Sequence, residues 1–468
     1  MKKQICAGLV LLALTGMVAA ADDGRNSQSF IPNARPFLNP HGLFATVSGT
    51  GSIPTTGAFF QDLGTNGRRC VTCHQAADAW TVIPEHLQQR FVQTAGRDPI
   101  FRLNDGANCP TADVSTLAAR RKAYSLLLAK GLIRVEMTAP AGAEFRVISI
   151  DNPYGCTDTS AVSVYRRVLP TTNLQFLSTV MWDARETFKD AQGKFIPVLD
   201  DLAHQAISAT LGHAQAAQAP TAAQIQDIVD FEIQLFTAQT LDLHAGPLDR
   251  GGAHGGPDNL ATQDFFLGIN DPLGGNPSGL PFTPQIFNLY QSWLGPVDHD
   301  DRDRQEARRA IARGERLFNT QPITITGVNG LNDVPLQDGK IHPSIAGFCG
   351  TCHDSPNVGD HSVPAPLNIG IADASRRTTD LPLFTIRNAA TGETIQTTDP
   401  GRALVTGKWA DIGKFKGPIL RALAARAPYF HNGSAATLLD VVTFYDTRFA
   451  LHFSDRDKAD LAAFLATL

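Results

Sequence analysis

The chain has 468 residues, of which 43% are hydrophobic and 18% are charged, and its formal net charge is -5. Its length predicts two domains, because a single hydrophobic core seldom organises this many residues. The charge balance excludes the strongly basic surface of a nucleic-acid-binding protein, so no nucleic-acid partner is expected.

The first residues have the layout of a secretory signal peptide. Two lysines precede an apolar run at 5–14, and alanines at 19–21 come directly before Asp22. We therefore predict that residues 1–21 are a signal peptide and that the mature protein is periplasmic. The apolar run is too short to span a bilayer, and no later segment approaches the required length, so no membrane span is expected.

Four of the seven cysteines form two copies of one motif, Cys70-Val71-Thr72-Cys73-His74 and Cys349-Gly350-Thr351-Cys352-His353. Cys-x-x-Cys-His is the attachment signature of c-type haem, in which the thiols bond to the porphyrin and the histidine becomes the proximal iron ligand. A zinc ribbon or a thioredoxin-like pair does not explain a histidine at the same position twice. We predict two covalently bound haem c groups, held by Cys70, Cys73 and His74 and by Cys349, Cys352 and His353.

The N-terminal half, residues 22–245, is predicted to form the first haem domain. Apolar residues around Phe59 precede the first motif, and a helix from about 221 to 239 is expected to close the unit after a Pro-Thr start. Its predicted buried face consists of Ile225, Ile228, Val229, Leu235 and Phe236.

Residues from about 94 to 160 resemble an insertion into the first domain. They hold a predicted helix at 115–130 and a predicted hairpin that includes 145–148. Cys109 and Cys156, the even remainder once Cys6 leaves with the signal peptide, also lie here. In an oxidising compartment this remainder predicts a disulfide between them, which would staple the insertion.

Residues 246–300 are rich in glycine and proline and are predicted to be an irregular connection that wraps the domain interface. The last segment, 301–468, is predicted to be the second haem domain. Apolar residues at helical spacing run from Ala307 to Phe318, and Gly314 on that face would allow close approach of another helix. The partner is predicted to be the final segment, where residues from Ser454 to Asp457 form a capping box.

A helix, a haem motif and a terminal helix packed across the first are the parts of a cytochrome c fold. The predicted fold class is therefore mainly α, with two cytochrome c-like haem domains, irregular loops and a small α+β insertion in the first domain.

Several further motifs resemble the bacterial di-haem cytochrome c peroxidases and their relative MauG, the enzyme that matures methylamine dehydrogenase. They cover most of the mature chain outside the insertion and the connection. Besides the haem motifs they are Met181-Trp182-Asp183-Ala184-Arg185, Asp201-Leu202-Ala203-His204-Gln205-Ala206, Arg313-Gly314-Glu315-Arg316-Leu317-Phe318, and Val405-Thr406-Gly407-Lys408 leading to Pro428-Tyr429-Phe430-His431-Asn432-Gly433.

The resemblance implies that His74 holds a peroxidatic haem iron and His353 an electron-transfer iron. Trp182 matches the tryptophan that relays electrons between the two haems in that family, although a core tryptophan without a redox role is the alternative. Gln205 matches the glutamine above the peroxidatic haem, and a surface helix glutamine is its alternative.

One departure concerns the distal glutamate of that family, which would lie ten positions after Gln205. Gln215 stands there, and His213 lies two residues before it. An amide cannot move the protons that O–O cleavage needs, whereas a histidine can. Either His213 takes the acid–base role or peroxide is not the natural oxidant; His213 is otherwise a helix-terminal histidine.

A second departure concerns the ligand of the second iron. No methionine follows Met181, so a methionine ligand would have to be Met137 or Met181 reaching across domains. The distant rubber oxygenases are similar in the C-terminal motif and use a histidine there, which implies His431. Tyr429 is the alternative, because MauG uses a tyrosine; His431 would then bond a propionate or the backbone.

We expect a periplasmic peroxidase that reduces hydrogen peroxide with electrons from a small donor protein, a cytochrome c or a cupredoxin. The alternatives are a MauG-like or rubber-oxygenase-like enzyme that oxidises an organic or protein substrate with peroxide or dioxygen, and a plain electron carrier in which His86 closes the first haem. Val168 stands where the family's asparagine would be expected, so calcium, common in the peroxidases, is not predicted.

Overall fold

The computed structural model describes residues 29–295, 302–336 and 338–468. The predicted signal peptide and the last residues of the predicted connection lie outside these ranges. Within them, no helix is both long and apolar enough to cross a membrane. The helices are α1 (Pro84–Thr94), α2 (Leu117–Ala123), α3 (Ser125–Lys130), α4 (Val198–Gly212), α5 (Ala222–Ile233), α6 (Pro257–Leu260), α7 (Arg302–Thr320), α8 (Ala403–Thr406), α9 (Leu438–Phe449) and α10 (Asp455–Leu465).

The strands form small antiparallel sheets, more numerous than a mainly α fold class implies. The pairs are β1 with β4, β5 with β7 and β10 with β11, and the larger sheets have the orders β2-β3-β8-β9 and β13-β12-β6. Their bounds are β1 (Phe30–Pro32), β2 (Phe37–Asn39), β3 (Gly42–Ser48), β4 (Ser52–Pro54), β5 (Leu132–Met137), β6 (Phe145–Asp151), β7 (Val162–Arg167), β8 (Leu235–Asp242), β9 (Gly246–Pro247), β10 (Ile323–Thr326), β11 (Ser344–Gly347), β12 (Leu383–Asn388) and β13 (Thr394–Thr397).

The helix predicted for 221–239 is too long. The structure ends α5 at Ile233 and begins β8 at Leu235, so Leu235 and Phe236 belong to a strand. The start is confirmed, because the Thr221 side chain accepts a hydrogen bond from the Gln224 backbone and caps the helix. The first five residues of β8 are buried beside β3, and a run buried on both faces cannot be told from a buried helix by periodicity alone.

The predicted insertion differs from expectation in two ways. Its helix is divided into α2 and α3 at Tyr124, whose hydroxyl donates to the Phe101 carbonyl oxygen. The predicted hairpin at 145–148 is wrong: β6 pairs with β12, far along the chain, because strand alternation identifies a strand but not its partner. Cys109 and Cys156 form a disulfide, with their Cα atoms 5.7 Å apart.

The glycine- and proline-rich segment from 246 to 295 is mostly irregular and packs on both halves of the chain. β9 pairs with β8 of the first half. The Asn270 side chain donates to the Asp354 carbonyl oxygen beside the second haem motif. The segment therefore contacts both halves of the chain, and it contacts the second half next to the second haem motif.

The predicted crossing of the last helix over the helix at 307–318 is confirmed. A Cβ on Gly314 of α7 would lie 2.1 Å from the Asp460 carbonyl oxygen of α10, so only glycine allows this approach. The predicted capping box is also present, with the Ser454 side chain accepting from the Asp457 backbone. Phe318 and Phe464 pack in the core that the two helices share.

Replacing Gly314 by alanine is expected to lower the free energy of unfolding by ~1–3 kcal/mol, the usual cost of overpacking. The obstructing atom is a backbone oxygen, which cannot rotate away. Urea unfolding followed by circular dichroism measures the loss. Gly212→Ala in α4 is the matched control, because a Cβ there meets nothing within 4 Å. Equal losses in the two variants would contradict the close crossing.

Candidate functional site

The two Cys-x-x-Cys-His motifs fold into the same tight turn. Each starts with a short 3-10 helix, at Cys70–Thr72 and at Cys349–Thr351. The backbone N–H of His74 donates to the Cys70 carbonyl oxygen, and His353 and Cys349 repeat the bond. In each turn the two cysteines are free of disulfides. In each turn both cysteines and the histidine line the same cavity.

In both motif histidines Nδ1 contacts a backbone carbonyl oxygen, which leaves Nε2 as the nitrogen that can bind a metal. Nδ1 of His74 lies 3.0 Å from the Trp80 carbonyl oxygen, and Nδ1 of His353 lies 2.7 Å from that of Gly359. A carbonyl only accepts, so Nδ1 carries the proton and Nε2 keeps its lone pair, as a metal-ligating histidine requires. Burial lowers the pKa of His74 to about 4, which keeps the ring neutral.

Each turn opens onto its own cavity. Apolar side chains form most of the surface of each cavity, which is typical of ligand and cofactor sites. Gln205 and His213 line the first cavity together with the first motif. Tyr429 and His431 line the second.

His213 is held by a carboxylate from the predicted insertion. Its Nδ1 lies 2.6 Å from Asp105 Oδ2, and Asp105 in turn pairs with Arg68 at 2.5 Å. The imidazole is thus oriented with its other nitrogen free. Gln215, at the position of the family's glutamate, does not line the first cavity, and its side-chain oxygen accepts from Asn66 at 3.2 Å.

His431 and Tyr429 differ in what their polar atoms contact. The Tyr429 hydroxyl donates to the Leu423 carbonyl oxygen at 3.1 Å. The imidazole of His431 is 1% exposed and stacks on Phe415 with ring centroids 3.8 Å apart. Neither of its ring nitrogens has a hydrogen-bond partner in the part of the chain that the structure describes. A buried, unpartnered imidazole fits a metal ligand better than a hydroxyl that is already bonded.

The two cavities share one wall, which contains Trp182. Its indole N–H donates to the Arg167 carbonyl oxygen at 2.8 Å, and its ring meets His431 edge-on with centroids 6.3 Å apart. The same wall contains three cationic side chains, Arg167, Lys416 and Arg426. Each donates hydrogen bonds to backbone carbonyls, and none pairs with a carboxylate among the described residues. Buried cations need anions, and haem propionates are carboxylates that fit this need.

A buried ion cluster supports this wall. Arg166 donates to Asp399 through Nε and Nη2 at 2.8 and 3.0 Å and also contacts Asp183, the neighbour of Trp182. Although burial opposes it, Arg166 and then Arg185 hold the pKa of Asp183 at about 2. Asp399 Oδ2 also lies 3.8 Å from His431 Nε2.

The remaining candidate ligands lie elsewhere. His86 pairs with Asp78, which raises its pKa, and it does not line the first cavity. Met181 lines the first cavity rather than the second, and Met137 packs in a separate apolar cluster. Val168 contributes to the wall between the cavities, where its carbonyl oxygen accepts from Thr81.

Sequence reasoning did not single out Asp105, Arg166 or Asp399. Each acts through a residue remote in the chain, and the separation of Arg166 from Asp399 is 233 positions. No local pattern signals such a pairing. Arg166 and Arg167 follow the β-branched residues Val162 and Val164, and this pattern indicates at most a strand with buried charges.

No family model matches the chain, but several cytochrome-c peroxidases match parts of it. A cytochrome-c peroxidase of Denitromonas iodatirespirans is 33% identical over 132 residues, or 26% of this chain and 36% of that protein. A cytochrome-c peroxidase of Pseudomonas sp. strain SCT is 29% identical over 215 residues, or 40% and 55%. The cytochrome c551 peroxidase of Nitrosomonas europaea is 32% identical over 121 residues, or 26% and 30%.

The chain thus spans between 30% and 55% of the length of these curated relatives. Among solved structures, a MauG-like protein associated with microbial copper homeostasis aligns with 88% of this chain and 85% of its own. The identity is 16% and the TM-score 0.34.

Replacing Arg166 by methionine is expected to lower the free energy of unfolding by about 3–5 kcal/mol, because Asp399 becomes a buried charge without its cation. Guanidinium unfolding at neutral pH measures the loss. Arg97→Met is the control, since Arg97 is exposed. The double variant Arg166→Met/Asp399→Asn should recover part of the loss. A single variant as stable as the control would contradict the ion cluster.

Proposed function

We propose that this chain, a relative of the bacterial cytochrome c peroxidases, is a two-haem c-type oxidoreductase that reduces hydrogen peroxide in its first cavity. One observation carries the proposal: two haem-attachment turns of the same kind face two cavities that share a wall containing a tryptophan. An arrangement of this kind suits electron transfer from one site to the other.

The residues fit two covalently held haems. Cys70, Cys73 and His74 would hold the first, and Cys349, Cys352 and His353 the second, with His431 as the further ligand of the second iron. When bound, the haems supply irons that store and pass single electrons. The cations of the shared wall would hold the propionates of both.

In the first cavity the chain's own residues handle the protons. Gln205 would orient bound peroxide through its amide, and His213 would take a proton from one peroxide oxygen. Asp105 accepts a hydrogen bond from Nδ1 of His213, so Nε2 of His213 is the atom that would take the proton. This dyad replaces the family's glutamate, whose position is filled by Gln215 outside the cavity.

Trp182 would carry electrons from the second site to the first. Its ring lies against His431 and lines both cavities, which supports this role. The electrons would come from a small donor protein, a cytochrome c or a cupredoxin, in the periplasm.

A second function is favoured by the absence of a glutamate at position 215. In a MauG-like or rubber-oxygenase-like enzyme the same site would oxidise an organic or protein substrate. A plain electron carrier receives less support, because His86 pairs with Asp78 away from the first cavity.

His213→Gln is expected to slow the reaction with hydrogen peroxide by roughly 10²- to 10⁴-fold, the usual loss when a general acid–base group is removed. Stopped-flow mixing of the holoprotein with peroxide and reduced cytochrome c measures the rate. His204→Gln on the same segment is the control, because His204 is 55% exposed, pairs with Glu186 and does not line the cavity. No peroxide reduction by the wild type would refute the peroxidase.

His431→Ala is expected to convert the second haem from low-spin to high-spin, because a ligand is lost and alanine offers none. Electron paramagnetic resonance of the oxidised holoprotein detects the change. Tyr429→Phe should keep the low-spin signal, since the Tyr429 hydroxyl is bonded to the Leu423 carbonyl. The reverse outcome would assign the tyrosine as the ligand.

A further inference from the structure

The first cavity contains a carboxyl group to which the proposed chemistry assigns no role. Glu232, in the last turn of α5, lines this cavity and is 3% exposed. Its Oε2 has no hydrogen-bond partner among the residues that the structure describes. A buried polar atom without a partner is rare in proteins and calls for an explanation.

Two other buried carboxyl groups near the two sites have structural roles. Glu315 in α7 accepts backbone hydrogen bonds from Leu289 and Tyr290, both at 2.8 Å. Asp183 pairs with two arginines. Glu232 has no comparable bond, so packing and capping do not explain why an acidic residue stands there.

The carboxyl group belongs to the same wall as Gln205. Ile228 and Glu232 lie one turn apart on α5, and Ile228 packs with Ala206, the neighbour of Gln205 on α4. Both Glu232 and Gln205 line the first cavity, with the motif cysteine Cys70. The group therefore faces the same cavity as the amide that is proposed to orient the peroxide.

The surroundings of Glu232 keep it protonated at neutral pH. Burial raises its pKa to about 8, because a desolvated carboxylate is unfavourable. The other titratable groups lining the cavity are His74, Asp105 and His213, with cations Arg68, Arg69, Arg166, Arg167, Arg185, Lys416 and Arg426. Cys70 and Cys73 also line it, but their sulfurs would be bonded to the haem. Burial alone accounts for the shift of Glu232. A neutral carboxylic acid is a proton donor.

We infer that Glu232 donates the proton that the departing oxygen of hydrogen peroxide needs, which rests on the proposed peroxidase function. The O–O bond breaks with its electron pair going to the departing oxygen. The Glu232 O–H bond breaks as a new O–H bond forms, and the first water leaves. His213 holds the proton of the other oxygen.

The step balances with the electrons that the proposed function supplies. The oxygen left behind would become the second water by gaining two electrons, which the bound haems would supply, and two protons, one from His213 and one from solvent. The Glu232 carboxylate is then reprotonated from solvent. Two groups with opposite protonation tasks in one cavity are the usual arrangement of acid–base catalysis.

The first test is spectroscopic and needs no turnover. The infrared carbonyl stretch of a protonated carboxylic acid should be present in the resting holoprotein at pH 7 and disappear as the pH passes about 8. Glu232→Gln should remove this band, and Glu232→Asp should shift it. Asp230→Asn, on the exposed side of the same helix, is the control and should leave it unchanged. The inference is overturned if the Glu232→Gln protein shows the same carboxylic acid bands as the wild type.

The second test is the rate of reaction with peroxide by stopped flow. Glu232→Gln keeps the shape and polarity but cannot donate a proton as an acid, and should lose roughly 10²- to 10⁴-fold. Glu232→Asp should recover part of that loss, and Asp230→Asn should match the wild type. A Glu232→Gln protein as fast as the wild type overturns the inference while leaving the peroxidase intact.

The two proposals fail separately. If the wild type does not reduce peroxide, the peroxidase function is lost, whereas the infrared band still decides whether Glu232 is protonated. If the Glu232→Gln protein does not retain its haems, Glu232→Asp is compared with the wild type instead. An infrared band that does not shift and a peroxide rate that does not change would together overturn proton donation by Glu232.

Discussion

The ion cluster around Arg166 is the interaction on which the two-site arrangement depends. It joins β7, the Trp182 segment and the stretch before α8 in one fully buried group. A charge in an apolar interior is stable only when its partners are fixed, so the cluster sets where the shared wall lies. The indole of Trp182 and the imidazole of His431 are then held against each other as a consequence of charge pairing.

The shared wall also explains why so many cations are buried at one place. Arg167, Lys416 and Arg426 donate hydrogen bonds to backbone carbonyls and have no carboxylate partner in the described part of the chain. Burial lowers the pKa of Lys416 to about 8. In the described part of the chain this wall is short of negative charge, which the carboxylates of a bound prosthetic group would supply.

Local features of the fold could be read from the sequence, and long-range ones could not. The haem motifs, the helix start at Thr221, the capping box at Ser454 and the small residue at Gly314 are all patterns within a few positions. The partner of β6 and the end of α5 at Ile233 depend on neighbours remote in the chain. Apolar periodicity reports that a face is buried, but the same residues satisfy a helix or a doubly covered strand.

At the candidate site the sequence identified residue types but not their contacts. Tyr429 and His431 could not be distinguished until the hydroxyl was found bonded to Leu423 and the imidazole unpartnered. Asp105 lies in the predicted insertion, far from His213 in the chain, so its support of that histidine is a tertiary effect. Glu232 is one acidic residue on a helix, and only its burial distinguishes it.

The pairing of β6 with β12 has a consequence for biogenesis. The ribosome makes β6 long before residues 383–388 exist, so this strand must wait with an open edge while the rest of the chain is synthesised. Unpaired edges are sites of intermolecular association. The sheet of β6, β12 and β13 is therefore completed only after the second half of the chain has been made.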